Sequence, residues 1–317
     1  MNRPRQPRNM PVQYPAGFGD SMPINHVAVV GGTHGNEPTG PHLLRLLAEK
    51  GIPASFSTFA LHPVLANPLA CSRNVRFVDQ DLNRSFLTTD LADDSLQQYE
   101  ARRAKEINQL IGPKGNAKTD LILDIHTSTA NMGTTIILQS SSPFQMHLAA
   151  HVQSALPGVF IYAISAEAYT GGCDQPFLPS IAETGIGLEF GPIPNGILRH
   201  DLINRSYAAT LACLEFIEQA NRGSAPLPRQ PVAYFEHVKT VPFPLDEVGH
   251  IDAVIHESLQ DRDYFPLNPG DPMFVHRDGR VVHSSESEIL YPVFINEAAY
   301  YPQKVAFSLT RKRTITL

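Results

Sequence analysis

A histidine and a glutamate lie three residues apart in the motif GGTHGNE at residues 31–37. The spacing of His34 and Glu37 allows one turn of the chain to direct both side chains at a single point. An imidazole and a carboxylate suit Zn²⁺, a borderline ion that accepts nitrogen and oxygen ligands. A polar loop alone would explain the pattern, but the motif follows the apolar run His26–Val30 and precedes a predicted helix. Ligands bind at such strand ends in open α/β sheets, so this context favours a metal site.

A second histidine lies where another predicted strand ends, in the segment LILDIHTSTANMG at residues 121–133. Together with His34 and Glu37, His126 would form a three-ligand site with an open fourth position, which is typical of catalytic rather than structural zinc. Asp124 shares a strand face with His126, because side chains alternate along a strand, and it could therefore orient the imidazole. The alternative is a histidine that hydrogen-bonds only to its own loop.

Two arginines, Arg76 and Arg84, lie eight residues apart in a turn-rich stretch, and the second ends the motif DLNR at residues 81–84. A guanidinium group can bind a carboxylate through two parallel hydrogen bonds, so these residues could hold an anionic substrate. The stretch is not diagnostic by itself, because a solvated surface could contain the same residues.

A glutamate interrupts the apolar strand-like segment GIGLEFGP at residues 185–192. An unpaired buried charge costs several kcal/mol, so Glu189 must be paired, protonated or directed into a cleft. A general base that activates a water molecule at a metal site fits this placement. A structural ion pair is the alternative.

Another glutamate and a tyrosine, Glu297 and Tyr300, lie in the aromatic segment YPVFINEAAYY at residues 291–301. Tyr300 could lean over a cleft and touch a substrate. On sequence alone, an interface between two domains is the better interpretation of this segment.

Strand-like and helix-like segments alternate through the first two-thirds of the chain, which predicts an α/β sheet covered by helices on both faces. The strands are predicted at residues 26–30, 58–66, 121–125, 134–138, 159–164 and 186–190. The helices are predicted at residues 38–50, 96–111, 144–156 and 201–221. The candidate ligands follow the first and third of these strands, at one edge of the predicted sheet.

A proline-rich connector, GSAPLPRQ, separates this region from a series of short β-like runs with intervening turn signals. The runs cover residues 232–241, 253–255, 273–275, 281–283, 293–295 and 305–309. We therefore predict four parts, which are a disordered tail at residues 1–23, a zinc-binding catalytic α/β domain at 24–222, a linker at 223–230 and a β-rich domain covering the site at 231–317.

The composition of the 317-residue chain excludes several classes of partner. Its net charge of −6 argues against binding to nucleic acid, which requires a basic surface. No apolar run approaches the about 20 residues of a membrane-spanning helix, and the N-terminus has no hydrophobic segment of a secretory signal. Three widely spaced cysteines, Cys71, Cys173 and Cys213, do not suggest a disulfide framework, so we expect a reducing, cytoplasmic location.

Taken together, these motifs resemble those of the aspartoacylase and aminoacylase family, whose relatives include the zinc carboxypeptidases and the succinylglutamate desuccinylases. GGTHGNE, DLNR, DIHTSTANMG, GLEFGP and NEAAYY occur in the family's order. Two further segments, HESLQDRD at residues 256–263 and PLNPGDPMF at 266–274, resemble motifs of the family's second domain. The resemblance covers roughly residues 24–310. It implies a carboxypeptidase-like mixed sheet flanked by helices, with a smaller β-rich C-terminal domain over the site.

The resemblance also implies a role for each candidate residue. The ligands of one Zn²⁺ per chain would be His34, Glu37 and His126. Arg76 would polarise the scissile carbonyl, and Glu189 would act as general base and acid. The substrate would be bound by Asn83 and Arg84, which match the pair that grips its α-carboxylate, and by Tyr300.

One departure from the family bears on specificity. Aspartate-specific members have an arginine about ten residues before the catalytic glutamate, near the position of Pro179 here. No lysine or arginine occurs from Thr119 to Leu198, whereas Glu167, Asp174 and Glu183 do. A second substrate carboxylate would find no cation in this segment, and a buried unpaired carboxylate is strongly disfavoured. The remaining sources of a cation are in the second domain, for example Arg262 or Lys239.

We therefore expect a deacylase that releases a carboxylate and a free amino acid, with neutral or aromatic amino acids preferred to aspartate. A true aspartoacylase acting on N-acetyl-aspartate, or an enzyme like succinylglutamate desuccinylase, is the alternative within the same class. A metal-binding interaction protein without catalysis is the alternative from another class, although no expected ligand, Arg76 or Glu189 is missing. The acyl group is not predicted, and homo-oligomerisation is left open.

Overall fold

A large mixed β-sheet organises the protein. The computed structural model describes residues 23–140, 142–164, 174–228 and 230–317. Within these ranges, nine strands form one sheet in the order β11-β12-β7-β5-β4-β6-β3-β1-β2, and three strands form a second sheet in the order β10-β9-β8. The predicted tail at residues 1–23 lies outside the described residues except for Pro23, and so does Cys173.

The strands and helices of the described residues have the following bounds. The strands are β1 (His26–Gly31), β2 (Ala60–Leu65), β3 (Leu121–Thr127), β4 (Thr134–Leu138), β5 (Val159–Ala163), β6 (Thr184–Phe190), β7 (Val232–Pro242), β8 (Ala253–Ile255), β9 (Pro272–His276), β10 (Val281–His283), β11 (Tyr291–Val293) and β12 (Val305–Ile315). The helices are α1 (Thr39–Lys50), α2 (Pro68–Arg73), α3 (Thr88–Ala92), α4 (Tyr99–Ile111), α5 (Pro143–Ala155) and α6 (His200–Asn221). Short 3₁₀ helices lie at Leu82–Arg84, Leu178–Ile181 and Ala298–Gln303.

Both faces of the central strands are buried by helices, as expected for a parallel sheet region. Along β1, Val27 and Val29 pack into a core that includes residues of α1, α5 and α6. Ala28 and Val30 point to the opposite face and pack into a core that includes residues of α4. The alternation of side chains along each strand therefore divides the core into two layers, one on each side of the sheet.

Parallel pairing brings three strand ends to one edge of the sheet. β3 pairs in parallel with β1 on one side and with β6 on the other. The loop after β1 and the last residues of β3 and β6 therefore lie side by side. This edge is where the sequence places His34, His126 and Glu189.

The C-terminal region contributes strands to both sheets, since β7, β11 and β12 extend the large sheet and β8, β9 and β10 form the small one. β7 pairs in parallel with β5 at Tyr162 and Ala163, and β12 pairs with β7 in an antiparallel arrangement. The smaller sheet packs on a further apolar core that includes Phe243, Phe274 and Phe307. The predicted fold class, a mixed sheet flanked by helices with a β-rich C-terminal part, is confirmed, while the domain boundaries stay a prediction.

Two predicted strands near the C-terminus differ from the observed ones. The strand predicted at residues 305–309 continues to Ile315, because its polar residues pair in register with β7. The strand predicted at 293–295 ends at Val293, because Phe294 and Asn296 adopt left-handed backbone conformations with φ of 56° and 60°. None of the helices in the described ranges combines the length and the apolarity needed to cross a membrane.

Candidate active site

The loop after β1 brings His34 and Glu37 together, as their spacing predicts. His34 Nδ1 lies 2.7 Å from Glu37 Oε1, and both side chains are buried. Gly35 has to be a glycine, since a Cβ there would lie 2.1 Å from the carbonyl carbon of Ala70. This close approach packs the loop against α2, while the Gly35 N–H donates to the carbonyl oxygen of Arg76 at 3.1 Å.

His126 joins this pair from the end of β3. Its Nδ1 lies 3.1 Å from Glu37 Oε2, and its ring centroid lies 5.0 Å from that of His34. One ligand atom from each of the three residues lies within 4.8 Å of the other two. Ligands at zinc–ligand distances of about 2.0–2.2 Å in a tetrahedral site are separated from one another by about 3–3.5 Å. The three donors therefore fit a single divalent cation.

Each imidazole is held by a carboxylate on the side away from this centre. His126 Nε2 lies 2.8 Å from Asp124 Oδ2, and His34 Nε2 lies 3.1 Å from Asp81 Oδ1. Because a carboxylate can only accept, Asp124 and Asp81 are placed to take a hydrogen bond from each Nε2, while each Nδ1 faces the centre and Glu37. Carboxylates in this position fix the orientation of metal-binding histidines and increase their basicity. The predicted contact of Asp124 is present, whereas the role of Asp81 was not predicted.

Two carboxylates of the site, Glu37 and Asp81, stay ionised although burial opposes it. Burial alone would raise the pKa of Glu37, but His34 and His126 outweigh it and hold that pKa well below its usual value. Burial likewise opposes ionisation of Asp81, and His34, Arg76 and Arg84 reverse the effect and lower its pKa. The result is a buried, anionic centre that favours a cation.

His126 has the opposite shift. Burial disfavours its charged form, but the carboxylates of Asp124 and Glu37 outweigh burial and raise its pKa well above the usual value. Without another cation between these groups, a proton on the imidazole supplies the positive charge. A divalent ion placed there would take over that function, which is the behaviour expected of metal-binding histidines.

Arg76 reaches the same centre from the segment after α2. Its Nη1 donates to Glu37 Oε1 at 3.4 Å, and its Nη2 donates to Asp81 Oδ2 at 3.1 Å. The guanidinium group is mostly buried, and the two carboxylates raise its pKa against the effect of burial. A fixed positive charge therefore lies at the edge of the three-residue cluster.

Asn83 and Arg84 lie farther out on the same segment. Asn83 Oδ1 accepts a hydrogen bond from the Leu178 N–H at 2.9 Å. The Arg84 guanidinium carbon lies 4.8 Å from the centre of the Phe177 ring, a cation–π distance, and Nη1 donates to the Asn83 carbonyl. Both residues are therefore fixed against residues 177–178, which follow the undescribed residues 165–173.

Glu189 lies directly beside His126 in the sheet, since the two are register partners of β6 and β3. Neighbours in register point to the same face, so the carboxyl group faces the same cavity. Burial and the charges of Glu37 and Glu297 raise the pKa of Glu189 well above its usual value, and His126 and Arg76 only partly oppose this. Glu189 is therefore suited to holding a proton.

One cavity of about 340 Å³ contains all the residues predicted for the site. The eight residues are His34, Glu37, Arg76, Asn83, Arg84, His126, Glu189 and Tyr300. The remaining lining mixes polar residues with apolar and aromatic ones, and the latter include Ile137, Tyr162, Ile164, Phe177, Phe294 and Val305. The structure brings together every residue that the motifs singled out, and the roles of these residues stay predictions.

The two cations suggested from the second domain do not line this cavity. Lys239 pairs with Glu286 at 2.5 Å, and Arg262 stacks over the ring of Phe265 at 4.5 Å. Among the lining residues that the structure describes, Arg76 and Arg84 are the only lysines or arginines. His237 also lines the cavity, but burial lowers its pKa, which favours the neutral form.

Glu297 connects the loop after His126 to the C-terminal region. Its Oε2 accepts hydrogen bonds from the Thr129 N–H at 2.8 Å, the Thr129 hydroxyl at 3.0 Å and the Ala130 N–H at 3.3 Å, and also from the Ser128 hydroxyl. The same residue lines the cavity. The predicted interface and the candidate cleft are thus the same place.

A buried carboxylate that no motif indicated holds the segment with Arg76 and Asp81. Glu100, at the start of α4, is completely buried. Its Oε1 accepts from the Val78 N–H at 2.6 Å, and its Oε2 accepts from the Asp79 and Gln80 N–H groups at 2.9 and 3.2 Å. A glutamate in the first turn of a helix is ordinary in sequence, so only the fold reveals this contact.

We expect Glu100→Ala to lower the free energy of unfolding by about 3 kcal/mol or more, because it leaves three backbone N–H groups without their acceptor. It should also lower turnover, because Arg76 and Asp81 lose their support. Glu106→Ala on the same helix is the control, since Glu106 is exposed and pairs only with Arg103. Urea unfolding and kcat/KM measure both effects. Equal stability of the two variants would contradict the role given to Glu100.

The chain is similar in sequence and in structure to known proteins over most of its length. The family model of the succinylglutamate desuccinylase/aspartoacylase catalytic domain matches residues 23–217, and that of the AstE/AspA barrel-sandwich hybrid domain matches residues 230–312. A human N-acyl-aromatic-L-amino acid amidohydrolase (carboxylate-forming) is 43% identical over 307 residues, which cover 93% of each chain. A probable aspartoacylase of Trichodesmium erythraeum is 42% identical over 292 residues, which cover 92% of this chain and 98% of that one. The solved structure of murine aminoacylase 3 is similar with a TM-score of 0.85 at 38% identity, covering 93% of this chain and 97% of that one.

Proposed function

The chain belongs to the succinylglutamate desuccinylase/aspartoacylase family, and on this premise we propose that it is a zinc-dependent amidohydrolase of N-acyl amino acids. It releases a carboxylate and a free amino acid, and it prefers neutral or aromatic amino acids to aspartate. The observation that carries the proposal is the convergence of His34, Glu37 and His126 on one point of a cavity that also contains Arg76 and Glu189.

One zinc ion per chain would be held by His34, Glu37 and His126. When bound, it would supply Lewis-acid polarisation of the scissile carbonyl, a lowered pKa of water and a positive charge beside Glu189. Asp81 and Asp124 keep the two imidazoles turned toward it through hydrogen bonds to Nε2. A set of three protein ligands is typical of a catalytic rather than a structural zinc site.

Glu189 moves the proton in this proposal. It takes a proton from the attacking water and later gives it to the leaving amine nitrogen. Its raised pKa suits the second step, since the carboxyl group holds the proton until the amine accepts it. Arg76 stabilises the negative charge that develops on the carbonyl oxygen, a contribution typically worth about 3 kcal/mol.

The substrate α-carboxylate is bound by Arg84 and Asn83. Asn83 Oδ1 is already used by the Leu178 N–H, so its Nδ2 is the group that remains to donate to the substrate. The guanidinium of Arg84 is kept in place over the Phe177 ring and can donate two parallel hydrogen bonds. Tyr300 approaches from the opposite, C-terminal wall of the cavity and contacts the bound substrate.

The preference for uncharged side chains follows from the lining of the cavity. Once Arg76 and Arg84 serve the carbonyl and the α-carboxylate, the described lining offers no further lysine or arginine for a second carboxylate. The aromatic residues of the lining, among them Tyr162, Phe177 and Phe294, instead favour an apolar or aromatic group. The human relative's name agrees with this preference.

Aspartoacylase activity is the second candidate, and the name of the Trichodesmium relative is the observation that favours it. The solved succinylglutamate desuccinylase from Vibrio parahaemolyticus is similar to the chain in fold, with a TM-score of 0.62 at 15% identity. A non-catalytic metal-binding protein would not need Glu189 or Arg76 in the cavity. The cytoplasmic location and homo-oligomerisation stay predictions.

The roles proposed for His34 and Glu189 predict that one substitution removes bound zinc and the other removes only turnover. His34→Ala should reduce bound zinc far below one per chain, because it removes one of three ligands. Glu189→Gln should keep one zinc per chain and lower kcat by about 10²- to 10⁴-fold, because an amide cannot exchange the proton. Metal analysis and steady-state kinetics on the same preparations separate the two. Wild-type turnover in Glu189→Gln would remove Glu189 from the mechanism.

The specificity proposal is tested on the purified zinc-loaded enzyme. N-acetyl-tyrosine should be hydrolysed with a higher kcat/KM than N-acetyl-aspartate, because the second carboxylate has no cation in the described lining. Chelation of the metal should abolish both activities, which shows that the same site is measured. Faster hydrolysis of N-acetyl-aspartate than of N-acetyl-tyrosine would contradict the proposed preference, but it would still agree with an amidohydrolase.

Placing a cation in the cavity should change the preference. Pro179 is buried and lines the cavity, and the resemblance of the motifs implies that it lies near the position of the arginine in aspartate-specific members. Pro179→Arg should raise the kcat/KM ratio of N-acetyl-aspartate to N-acetyl-tyrosine by about 10-fold or more, the usual effect of one charge-assisted hydrogen bond. Pro179→Met is the matched control, since it adds length without charge. An equal ratio in both variants would show that the side-chain carboxylate lies elsewhere.

A further inference from the structure

One wall of the cavity is formed by residues 294–305, which include Phe294, Glu297 and Tyr300. Between β11 and β12 this segment has little regular structure apart from the 3₁₀ helix Ala298–Gln303. Its start is joined to a second irregular segment, residues 260–264. The geometry of that junction decides where Tyr300 lies.

The two segments are connected by a buried carboxyl group. Asp263 Oδ1 accepts a hydrogen bond from the Ile295 N–H at 3.1 Å, and the Tyr264 N–H donates to the Pro292 carbonyl at 2.8 Å. Asp263 is only 3% exposed, and its Oδ2 is buried without a hydrogen-bond partner. A buried carboxyl oxygen without a donor is costly when the group is ionised.

The backbone around this carboxyl group is strained. Asp261, Tyr264, Phe294 and Asn296 have φ of 60°, 64°, 56° and 60°, in the left-handed region that non-glycine residues rarely adopt. Such conformations cost of order 1 kcal/mol each and persist only where surrounding contacts impose them. The Asp263–Ile295 hydrogen bond is one such contact, and it lies between the two pairs of strained residues.

Both segments also bind the loop that follows His126. The Asn131 side-chain amide donates to the Asp261 carbonyl at 2.8 Å, and the Tyr264 hydroxyl lies 2.9 Å from the Thr135 hydroxyl. The Phe294 N–H points to the Met132 sulfur at 3.2 Å. A shift of residues 260–264 would therefore displace both the wall with Tyr300 and the loop after His126.

We propose that Asp263 is a positioning residue that keeps the wall with Glu297 and Tyr300 closed over the cavity, and that its ionisation loosens this wall. Asp263 is not among the described residues that line the cavity. It acts through the Ile295 N–H, two residues before Glu297 and five before Tyr300.

The environment of Asp263 supports a response to pH. Burial raises the pKa of its carboxyl group to about 7, and backbone N–H groups, that of Ile295 first, only partly oppose the shift. The titratable side chains around it are engaged elsewhere. Tyr264, whose own pKa is raised by burial, bonds to Thr135, Glu297 bonds to residues 128–130, and Arg262 lies over Phe265. No ion pair to Asp263 occurs within the part of the chain that the structure describes.

The sign of the effect follows from linkage. An opened wall would return the carboxyl group to water, where its pKa is near the usual value of 3.8. The closed arrangement therefore has its full stability below about pH 4, loses it as pH rises toward 7, and changes little above that. Loosening should be complete just above neutral pH.

The test compares Asp263→Asn with the wild type by hydrogen exchange of the amides in residues 291–300 from pH 5.5 to 8. Asparagine keeps an acceptor for the Ile295 N–H but cannot ionise. Hydrogen exchange gives an opening constant for each amide. The intrinsic pH dependence of exchange cancels when the constant of the wild type is divided by that of the variant. This ratio should rise by about 30-fold from pH 5.5 to 8. Asp261→Asn, the same change at an exposed neighbour, should leave the ratio constant. A flat ratio for Asp263→Asn would overturn the proposal.

A second arm rests on the proposed function and uses N-acetyl-tyrosine as substrate. Asp263→Ala should raise KM by about 10-fold with a smaller change in kcat and unchanged zinc content, while Asp263→Asn restores the wild-type KM at pH 6. An unchanged KM in a folded Asp263→Ala variant would also overturn the proposal. Absence of any hydrolysis by the wild type would refute the proposed function instead, and the exchange experiment would still decide on Asp263, even if Asp263→Ala does not fold.

Discussion

Both oxygens of one carboxylate, that of Glu37, face a histidine, and the rest of the site depends on this bridge. Oε1 faces His34 from its own loop, and Oε2 faces His126 from the neighbouring strand. The bridge is possible because β1 and β3 pair in parallel and end at the same edge of the sheet. A cation between these groups would replace a proton, since the imidazoles are already turned with Nδ1 inward. The candidate metal site is therefore a consequence of strand order and of two outer carboxylates, Asp81 and Asp124.

The charged groups in this cavity explain why its carboxyl groups have different pKa shifts. Glu37 and Asp81 are ionised because imidazoles and arginines outweigh the effect of burial, whereas burial and the charges of Glu37 and Glu297 outweigh His126 and Arg76 at Glu189. Two buried glutamates within one cavity thus have pKa values shifted in opposite directions. Such a separation is what a hydrolase needs, because one carboxylate must stay a ligand while the other exchanges a proton. The described lining of this cavity has two arginines, and in the proposed function both bind groups common to all N-acyl amino acids.

Much of the fold and of the candidate site could be predicted from the sequence, because the motifs lie at strand ends and strand ends meet. The helix predicted at residues 201–221 is observed at His200–Asn221, and the residues of GGTHGNE and DIHTSTANMG that were singled out share one cavity. Asp81 and Glu100 were not recognised, because an acidic residue in a turn or in a first helical turn has many ordinary explanations. The left-handed turn after β11 was read as strand, because Phe294 and Ile295 are apolar and the contacts that impose their backbone come from residues 132 and 263.

Three loops around the sheet are held by buried carboxylates rather than by apolar packing. Glu100 binds residues 78–80, Glu297 binds residues 128–130, and Glu218 accepts from the Ser57 and Thr58 N–H groups at 3.0 and 2.9 Å. A buried carboxylate is tolerated when several donors replace its hydration, and those donors then have fixed positions. Two of these loops adjoin a polar cavity, where apolar side chains could not fix the backbone without filling the space for substrate. Carboxylate–amide contacts solve this conflict, because one carboxylate holds several backbone N–H groups and occupies little of the space for substrate.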